Sequence, residues 1–379
     1  MYFSDKRCLF PALTENVSCD VLVVGGGIAG FLCAFKLCKI GFNVTVVEKN
    51  IIASGKTAYN MGVLFSQGSP SYRDIGFQNV DNVEKSSGGY SESFERIQNI
   101  SETVGDPSYN KVKALFYTEN PSRKVFSEMR NEYQRRFFSG EKCAFLTWRE
   151  ALKMYSFNIS SGIISDSVAQ YNPIVFCEKI ADHVSLFGGT VCENTEIVSI
   201  DKTADNRGFV SVTSRGSVVN SRAVIDCRGI IKEDAYSFSS YYFVSKPIKE
   251  FVGWYCGSVI SDDCRNRLYL RTDGSDRVVA SIHSHSLLRQ IGSIYDSCMY
   301  NYGEKLLRSM FFGIKDLEFD HVGKYDFRLP KRNSVESLWE NSNEGLFRLN
   351  CNDTVGCLNS EILAEKVVRS VVKLLSANP

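Results

Sequence analysis

The first regular pattern along the chain is a pair of short apolar runs separated by a longer apolar stretch. The run Asp20 to Val24 (DVLVV) is almost wholly apolar and β-branched, which is typical of a buried parallel strand. A helical stretch follows from Phe31 to Ile40 with Gly41 as its stop, and a second such strand runs from Asn43 to Val47. This order predicts a βαβ unit and therefore an α/β fold.

Later segments of the chain also show apolar patterns that are typical of helices and of strands. Ile174 to Phe187 is an apolar helix, and Phe209 to Thr213 with Ser217 to Asn220 alternates like a hairpin that turns at Gly216. The remaining predicted elements are helical stretches around Asn110 to Glu132, buried strands at Ala223 to Asp226 and Leu346 to Leu349, a helix from Ser360 to Leu375, and mainly strands over 233–321.

A glycine-rich turn of the form G-x-G-x-x-G joins the first strand to the first helix. Gly25 permits a tight turn, Gly27 lets the backbone approach a pyrophosphate, and Gly30 lets helix and strand pack closely. The helix N-terminus, with Ile28 and Ala29, offers N–H groups and a positive dipole end to the phosphates. The motif predicts a dinucleotide site, and a structural βαβ unit without a ligand is the alternative.

An acid and a small polar loop follow the second strand. Glu48 stands where a carboxylate can take the ribose hydroxyls, and an acid there disfavours a 2′-phosphate. The loop Lys49 to Asn60 suits a cofactor that stays in place, and Met61 to Gln67 suits a segment against a flat ring. The cofactor contacts predicted here are Glu48, Lys49, Ser54, Gly55, Lys56, Thr57, Ala58, Asn60, Met61 and Gly62.

At this point the chain resembles the D-amino-acid-oxidase-like (DAO) superfamily of FAD-dependent oxidoreductases, which includes glycine oxidase and sarcosine oxidase. The segment ASGKTAYNMGVLFSQG is similar to the family's loop after the ribose acid, and Ala169 to Pro173 resembles its Q-x-x-P segment before a crossover helix. Leu268 to Arg271 with Gly274 resembles a strand of its substrate domain. The resemblance covers most of the chain in the right order and implies non-covalent FAD.

The resemblance also implies cofactor contacts in the second half of the chain. A backbone group beside Ile197 would meet the adenine, and the loop 350–359 with the following helix N-terminus would hold the flavin and the ribityl chain. The residues that it implies are Ile197, Cys227, Arg228, Gly229, Val355, Gly356, Cys357, Leu358 and Asn359.

Three departures from the family's pattern keep a second hypothesis open. Arg228 replaces a small residue near the expected pyrophosphate, Ser281 and Ile282 stand where relatives carry paired glycines, and the loop 351–359 keeps only Gly356. The second hypothesis is a catalytically drifted flavin-binding or interaction protein of the same fold. A nicotinamide-dependent reductase would need a second G-x-G-x-x-G in the middle of the chain, and the sequence has none.

In this family the substrate hydride passes to flavin N5, so the protein must supply a substrate anchor rather than a nucleophile or a metal. Arg328 stands where glycine oxidase-like relatives place an Arg-Pro dipeptide, although Leu329 intervenes; a surface arginine is the alternative. Tyr269 and Arg271 are the other anchor candidates, against an ordinary strand alternation.

Histidine and cysteine spacing predicts no metal site. His283 and His285 share a strand face, but no nearby carboxylate or Cys completes a ligand set, so an exposed or packed pair is favoured. The 13 Cys residues contain no C-x2-C pair and are interpreted as reduced thiols, with Cys33 and Cys38 in the core.

Charge and hydropathy argue against a nucleic acid and a membrane as binding partners. The 379 residues carry 44 Lys plus Arg against 43 Asp plus Glu, which gives no electrostatic reason to expect a nucleic acid. The most apolar stretch, Val21 to Phe35, is too short to span a bilayer, and the first residues do not resemble a signal peptide. The sequence therefore predicts a cytoplasmic protein without an integral membrane segment.

The predicted fold class is α/β, with a Rossmann-like, glutathione-reductase-like FAD-binding domain interleaved with a mainly antiparallel-sheet substrate domain. The first would collect residues 1–80, 160–232 and 322–379, and the second 81–159 and 233–321, with the active site between them. The implied function is an FAD-dependent oxidoreductase acting on a CH–NH or CH–OH bond of a small carboxylate-bearing substrate. Oxygen or another electron acceptor would reoxidise the flavin.

Overall fold

The computed structural model describes residues 8–72, 80–229, 235–249, 253–263, 268–274, 276–284, 293–311, 317–330, 339–342, 345–349 and 356–377. The described strands form two sheets, and most of the helices pack on the first. The helices are α1 (Ile28–Lys39), α2 (Val80–Val104), α3 (Arg123–Phe138), α4 (Trp148–Ala151), α5 (Pro173–Leu186), α6 (Ser293–Met310) and α7 (Gly356–Ala377).

The strands follow one another in this chain order: β1 (Val17–Val24), β2 (Val44–Val47), β3 (Val63–Phe65), β4 (Asn110–Thr118), β5 (Cys143–Thr147), β6 (Ser161–Gln170), β7 (Thr190–Cys192), β8 (Ile197–Lys202), β9 (Phe209–Thr213), β10 (Val218–Asp226), β11 (Ala235–Ser245), β12 (Val259–Asp262), β13 (Leu268–Thr272), β14 (Val278–Ser284), β15 (Phe319–Pro330), β16 (Trp339–Ser342) and β17 (Leu346–Leu349).

The first sheet has the order β16-β17-β10-β1-β2-β7, and the β8–β9 hairpin extends from β10. β1 pairs in parallel with both β2 and β10, and Val24 lies opposite Val47 on one side and Asp226 on the other. Because the three strands end at one level, the residues that follow them meet at one edge of the sheet. These residues are Gly25, which begins the glycine-rich turn, Glu48 and Cys227.

Helix α1 lies in the centre of the largest hydrophobic core. Its residues Phe31 to Leu37 are buried except Lys36, and they pack with α5, α7 and the first sheet. A helix that is apolar on nearly all sides is stable only when it is covered, and each fully buried large side chain contributes about 1.5–3 kcal/mol. Gly41, with a φ of +94°, ends the helix as predicted.

The second sheet has the order β15-β11-β14-β13-β12-β4-β6-β3, with β5 paired to β6. Most of its pairings are antiparallel, although β12 and β4 are parallel. One face packs on α6, where Phe243 meets Leu307, Met310 and Phe311 in a second core. The opposite face is turned toward the first sheet's edge, and this arrangement leaves space between the two sheets.

The prediction of helical stretches around Asn110 to Glu132 is wrong for its first part. Asn110–Thr118 is strand β4, and the helix begins only at Arg123 after the N-cap Ser122, whose hydroxyl accepts from Val125 N. The run of buried residues in β4 lies between β6 and β12, and a strand covered on both faces has the same near-continuous apolar sequence as a buried helix.

Most of the other predicted elements agree with the structure to within a few residues, but the separately predicted strands Ser217 to Asn220 and Ala223 to Asp226 form one continuous strand, β10. α5 begins at Pro173 behind Asn172, whose side chain accepts hydrogen bonds from Ile174 N and Val175 N. The hairpin turns at Gly216, with a φ of +87°. α7 begins at Gly356, four residues before the predicted start, so 356–359 are helical rather than loop.

The two sheets divide the chain differently from the predicted domain boundaries in three places. β3, β6 and most of β15 lie in the second sheet, although their residues fall in the ranges assigned to the first domain. α2 packs on α7 and joins the first core through Phe94 and Ile97. We therefore propose a division by sheet rather than by sequence range. Within the described ranges, no helix is both long enough and apolar enough to cross a membrane.

Candidate functional site

A cavity of about 560 Å³ lies between the edge where β1, β2 and β10 end and the inner face of the second sheet. Its volume lies within the range of about 300–1,000 Å³ that is typical of small-molecule and cofactor sites. We call the part lined by the glycine turn, Glu48, residues 53–57 and Arg228 the dinucleotide end. We call the part lined by Tyr59, Tyr242, Tyr269, His283 and Tyr325 the tyrosine end.

The glycine turn adopts a conformation that only glycine tolerates at two positions. Gly25 has a φ of +113°, and a Cβ on Gly30 would lie 2.0 Å from the Gly25 carbonyl oxygen. Gly27 is the N-cap of α1 and provides no side-chain cap. The N-terminus of α1 therefore opens on the cavity, where its N–H groups and dipole favour an anion.

Glu48 is held beside this turn by hydrogen bonds to both of its carboxylate oxygens. Oε2 accepts from Gly26 N at 2.9 Å and Oε1 accepts from Asn50 N at 3.0 Å. The main chain of Glu48 is bonded to the neighbouring segment through Cys192 O and Thr195 N. The half-buried carboxylate lines the cavity in a fixed position, where it can accept from hydroxyl groups of a ligand.

A second carboxylate, which the sequence analysis missed, supports this loop from behind. Glu193 is fully buried, and its Oε1 accepts from Ile52 N at 2.8 Å. Its Oε2 accepts from Leu9 N at 2.5 Å and Phe10 N at 2.8 Å. Glu193 therefore joins three separate segments just before Ala53, a non-glycine residue with a φ of +55° that lines the cavity.

The loop after Ala53 returns to the N-terminus of α1. Thr57 Oγ1 accepts from Ile28 N at 3.2 Å, and Asn60 Oδ1 accepts from Gly62 N at 2.8 Å. Gly62 has a φ of +65°, and a Cβ there would lie 2.0 Å from Tyr171 O. The close approach at Gly62 is thus to the backbone beside β6 and not to the cavity.

Arg228 is held against Asp226 at the dinucleotide end. Its Nε donates to Asp226 Oδ1 at 2.9 Å, and its Nη2 donates to Oδ2 at 2.8 Å. Nη1 donates to Ile197 O at 3.2 Å. Hydrogen bonding to the Asp226 carboxylate raises the pKa of Arg228. The arginine that departs from the family's pattern therefore lines the wall of the cavity beside Ile197.

The tyrosine end is built by strand register in the second sheet. Tyr242 of β11 lies opposite Ser281 of β14, which lies opposite Tyr269 of β13, so the three share one row. Ser240 lies between Tyr325 and His283 in the next row. Residues directly opposite in a sheet face the same side. Side chains from distant parts of the chain therefore form one wall of the cavity.

The rings at the tyrosine end are in contact. Tyr59 stacks on Tyr325 with ring centroids 4.1 Å apart, and its ring lies 6.0 Å from that of Tyr242. Tyr269 meets His283 edge to face at 5.4 Å. Burial raises the pKa of Tyr325 to about 12 and raises that of Tyr242 as well. Both phenols are therefore neutral at physiological pH and able to donate hydrogen bonds.

Arg271, an anchor candidate, is not among the residues that line the cavity. Its guanidinium is buried, and its Nε donates to Met61 O at 2.5 Å while Nη1 donates to Thr272 O at 3.0 Å. Burial lowers the pKa of Arg271 to about 10, so the group remains charged at neutral pH. Arg271 therefore connects the second sheet to the cavity segment at Met61.

The other predicted residues fall into three groups. Tyr269 lines the cavity, while the side chain of Arg328 lies outside the described residues, as do Val355 and His285. Ala58, Cys357 and Asn359 are buried, and neither they nor Gly62 line the cavity. The surroundings of Gly356 lie outside the described residues. The predicted cofactor residues that line it are Gly25, Gly27, Ile28, Ala29, Gly30, Glu48, Lys49, Ser54, Gly55, Lys56, Thr57, Asn60, Met61, Ile197, Cys227, Arg228, Gly229 and Leu358.

Several lining residues were not predicted. Tyr59, Tyr242 and Tyr325 received no role in the sequence-based prediction. His283, predicted to be exposed or packed, packs on Tyr269 and also lines the cavity. The alternation of β11 could have placed Tyr242 with Ser240 and Val244 on one face. It could not have shown which face met the cavity, because Tyr241 and Phe243 on the other face are equally large and apolar.

The residues at the dinucleotide end fit a dinucleotide cofactor. The N-terminus of α1, which has no cap from Gly27, suits a pyrophosphate, and the fixed carboxylate of Glu48 suits ribose hydroxyls. Gly25 and Gly30 bring the backbone into the close approach that the motif requires. The fold and the site thus define a dinucleotide-binding protein of the Rossmann type.

Comparison with known sequences identifies the family. The profile of the FAD-dependent oxidoreductase family DAO matches residues 20–332, and the chain belongs to this family, whose cofactor is FAD. The chain is 29% identical to gamma-glutamylputrescine oxidoreductase of Escherichia coli over 59% of this chain and 52% of the relative. It is 25% identical to YhfW of Bacillus subtilis, named as a proposed Rieske 2Fe-2S iron-sulfur protein, over 64% of this chain and 48% of the relative.

Solved structures share the fold. L-proline dehydrogenase from P. horikoshii superposes with a TM-score of 0.71 at 17% identity, and the match covers 95% of this chain and 94% of that one. The chain spans about half the length of the curated relatives that it matches.

Proposed function

We propose that this protein is an FAD-dependent oxidoreductase that oxidises a CH–NH or CH–OH bond of a small carboxylate-bearing substrate. The observation that carries the proposal is the continuity of the cavity. One space joins the glycine turn and Glu48 to the aromatic wall of the second sheet. A cofactor held at one end would therefore present its ring to a substrate held at the other.

Several residues of the chain would bind and orient the cofactor. The N-terminus of α1 would hold the pyrophosphate, and Glu48 would accept from the ribose hydroxyls. The segment at Met61, fixed through its carbonyl by Arg271, would lie along the flavin ring. Bound FAD would supply the chemistry by accepting a hydride from the substrate.

The tyrosine end would bind the substrate. Tyr242 and Tyr325 would donate hydrogen bonds as neutral phenols, and the apolar side chains of Met61, Val63 and Phe65 would exclude water beside them. Arg328 would remain the candidate for gripping a carboxylate, since its backbone lies in β15, the strand that carries Tyr325.

The first test is the visible absorbance spectrum of the purified protein, before and after anaerobic addition of amino acids and 2-hydroxy acids. A flavin spectrum that one substrate class bleaches supports the proposal and identifies the bond that is attacked. A flavin spectrum that no candidate bleaches favours the drifted, non-catalytic relative. Failure to bind FAD even after reconstitution contradicts both readings.

A second measurement addresses the electron acceptor. Once a bleaching substrate is known, the reduced protein is mixed with oxygen or with an artificial acceptor, and the return of the spectrum is followed. Rapid return with oxygen indicates an oxidase, and return only with the artificial acceptor indicates a dehydrogenase.

A further inference from the structure

Arg228 has a geometry that a surface arginine does not have. Two of its nitrogens meet the two oxygens of one carboxylate, at 2.9 and 2.8 Å, and a third meets the carbonyl of Ile197 at 3.2 Å. Asp226, which holds it, is only 4% exposed. A bidentate pair of this kind fixes both the position and the plane of the guanidinium.

The same hydrogen bonds determine what the guanidinium can offer a ligand. Three of its five N–H groups are used within the plane, and the Asp226 carboxylate balances its charge. Arg228 still lines the cavity, and about a third of its side chain is exposed. A planar, weakly hydrated cation held in this way is suited to stacking on a π-system more than to attracting a phosphate.

The position of Arg228 indicates which part of a dinucleotide would meet it. Its neighbours on the cavity wall are Ile197, Glu196 and Thr195, and Thr195 N donates to the carbonyl of Glu48 at 2.8 Å. Arg228 is therefore bonded to the segment 195–197, which also holds the main chain of Glu48, the predicted ribose acid. The base attached to that ribose is the adenine.

We propose that Arg228, held in its plane by Asp226, is a stacking platform for the adenine ring of FAD and helps the site to select FAD over FMN. This inference rests on the proposed function, because it requires FAD in this cavity. Arg228, which departs from the family's pattern, would then make a binding contact that depends on the planar shape of arginine rather than on its charge.

The test measures the dissociation constants of FAD, ADP and FMN for the apoprotein by fluorescence and calorimetry. Arg228→Lys keeps the charge and removes the plane, and Arg228→Ala removes both. Both variants are expected to weaken FAD and ADP binding about tenfold, equally at low and high salt, and to leave FMN binding unchanged. The matched control is Arg222→Ala, because Arg222 lies in β10 with Asp226 and pairs with Asp20 of β1 but does not line the cavity.

Three outcomes of these binding measurements would contradict the proposed adenine contact. If Arg228→Lys binds FAD like the wild type, or if salt abolishes the effect of Arg228→Ala, the residue acts by charge and the proposal is wrong. Equal losses for FMN and ADP also overturn it, because the contact is then not to the adenine. If the wild-type protein binds neither FAD nor ADP, the proposed function itself fails.

A variant of the partner residue tests the role of the fixed plane. Asp226→Asn leaves Arg228 present but removes one charged acceptor, and the adenine contact is expected to weaken in the same direction as in Arg228→Lys. Thermal unfolding of each variant is measured alongside, because Asp226 is buried. A lower melting temperature with unchanged ADP affinity would show that the pair serves only stability.

Discussion

The two ends of the cavity are built in opposite ways. The dinucleotide end is mostly backbone and charge, from a turn, an acid and a loop that follow one another between residues 25 and 57. The tyrosine end is side-chain surface from four strands spread between residues 235 and 330, joined by one loop residue, Tyr59. The dinucleotide end is therefore suited to recognising a constant group, and specificity can vary at the tyrosine end.

Arg271 shows that the two ends are mechanically connected. It belongs to β13 of the second sheet, but its guanidinium holds the carbonyl of Met61 in the segment that leaves the dinucleotide end. A substitution in either region is therefore informative only when cofactor binding and substrate turnover are measured separately.

The largest effect is expected from Gly30→Ala. The added Cβ would lie 2.0 Å from the Gly25 carbonyl oxygen, so the turn or the helix must shift, at a cost of about 3 kcal/mol or more. We expect loss of FAD binding and a lower melting temperature. The control is Gly274→Ala, where a Cβ meets nothing within 4 Å. Normal FAD affinity in Gly30→Ala would contradict the close packing of turn and helix.

The next largest effect is expected from Glu193→Gln. The fully buried carboxylate accepts three backbone hydrogen bonds, and the loss of its charge should cost about 2–3 kcal/mol of unfolding free energy. Because Ile52 directly precedes the loop that lines the cavity, the affinity for FAD should fall together with the stability.

A buried carboxylate in the other region serves as the control for Glu193. Asp262→Asn removes a charged acceptor from Leu268 N in the second sheet and should lower stability without changing FAD affinity. Equal effects of the two variants on FAD affinity would show that Glu193 acts only through global stability.

A smaller effect, a loss of about 2 kcal/mol of unfolding free energy at alkaline pH, is expected from the buried thiol of Cys19 in β1. Burial raises the pKa of Cys19 from 9.0 to about 11. The folded state therefore keeps the proton more tightly, so its stabilising contribution is complete below pH 9 and disappears as the pH rises through about 11. Cys19→Ala should flatten the fall in melting temperature over this range, and Cys298→Ala, at an exposed site, should not.

The smallest effect is expected at the tyrosine end. Tyr242→Phe removes one hydroxyl from the cavity and should lower kcat/KM about tenfold, the value of one hydrogen bond of about 1.4 kcal/mol. FAD affinity should not change, because the ring and its packing remain. A fall in FAD affinity equal to the fall in kcat/KM would show that the two ends do not have separate roles.

The sequence alone predicted the glycine turn and the acid Glu48, because the determinants of both are local. The glycine spacing, the buried strands and the acid at Glu48 each act over a few residues, and the structure places them together at one sheet edge. The error at Asn110–Thr118 has the opposite origin: an apolar run does not reveal whether helices or strands will cover it.

Contacts between segments that are distant in the sequence determine the features of the site that the sequence did not predict. Glu193 lies 141 residues from Ile52, and Arg228 lies 31 residues from Ile197, yet each pair is hydrogen bonded. Tyr242, Ser281 and Tyr269 form one row only because three strands align in a particular register. The sequence by itself determined the α/β fold and the cofactor turn, since these depend on local backbone geometry. The tyrosine end, the burial of Arg271 and the fixed plane of Arg228 required the tertiary structure, since they depend on which distant residues pack together.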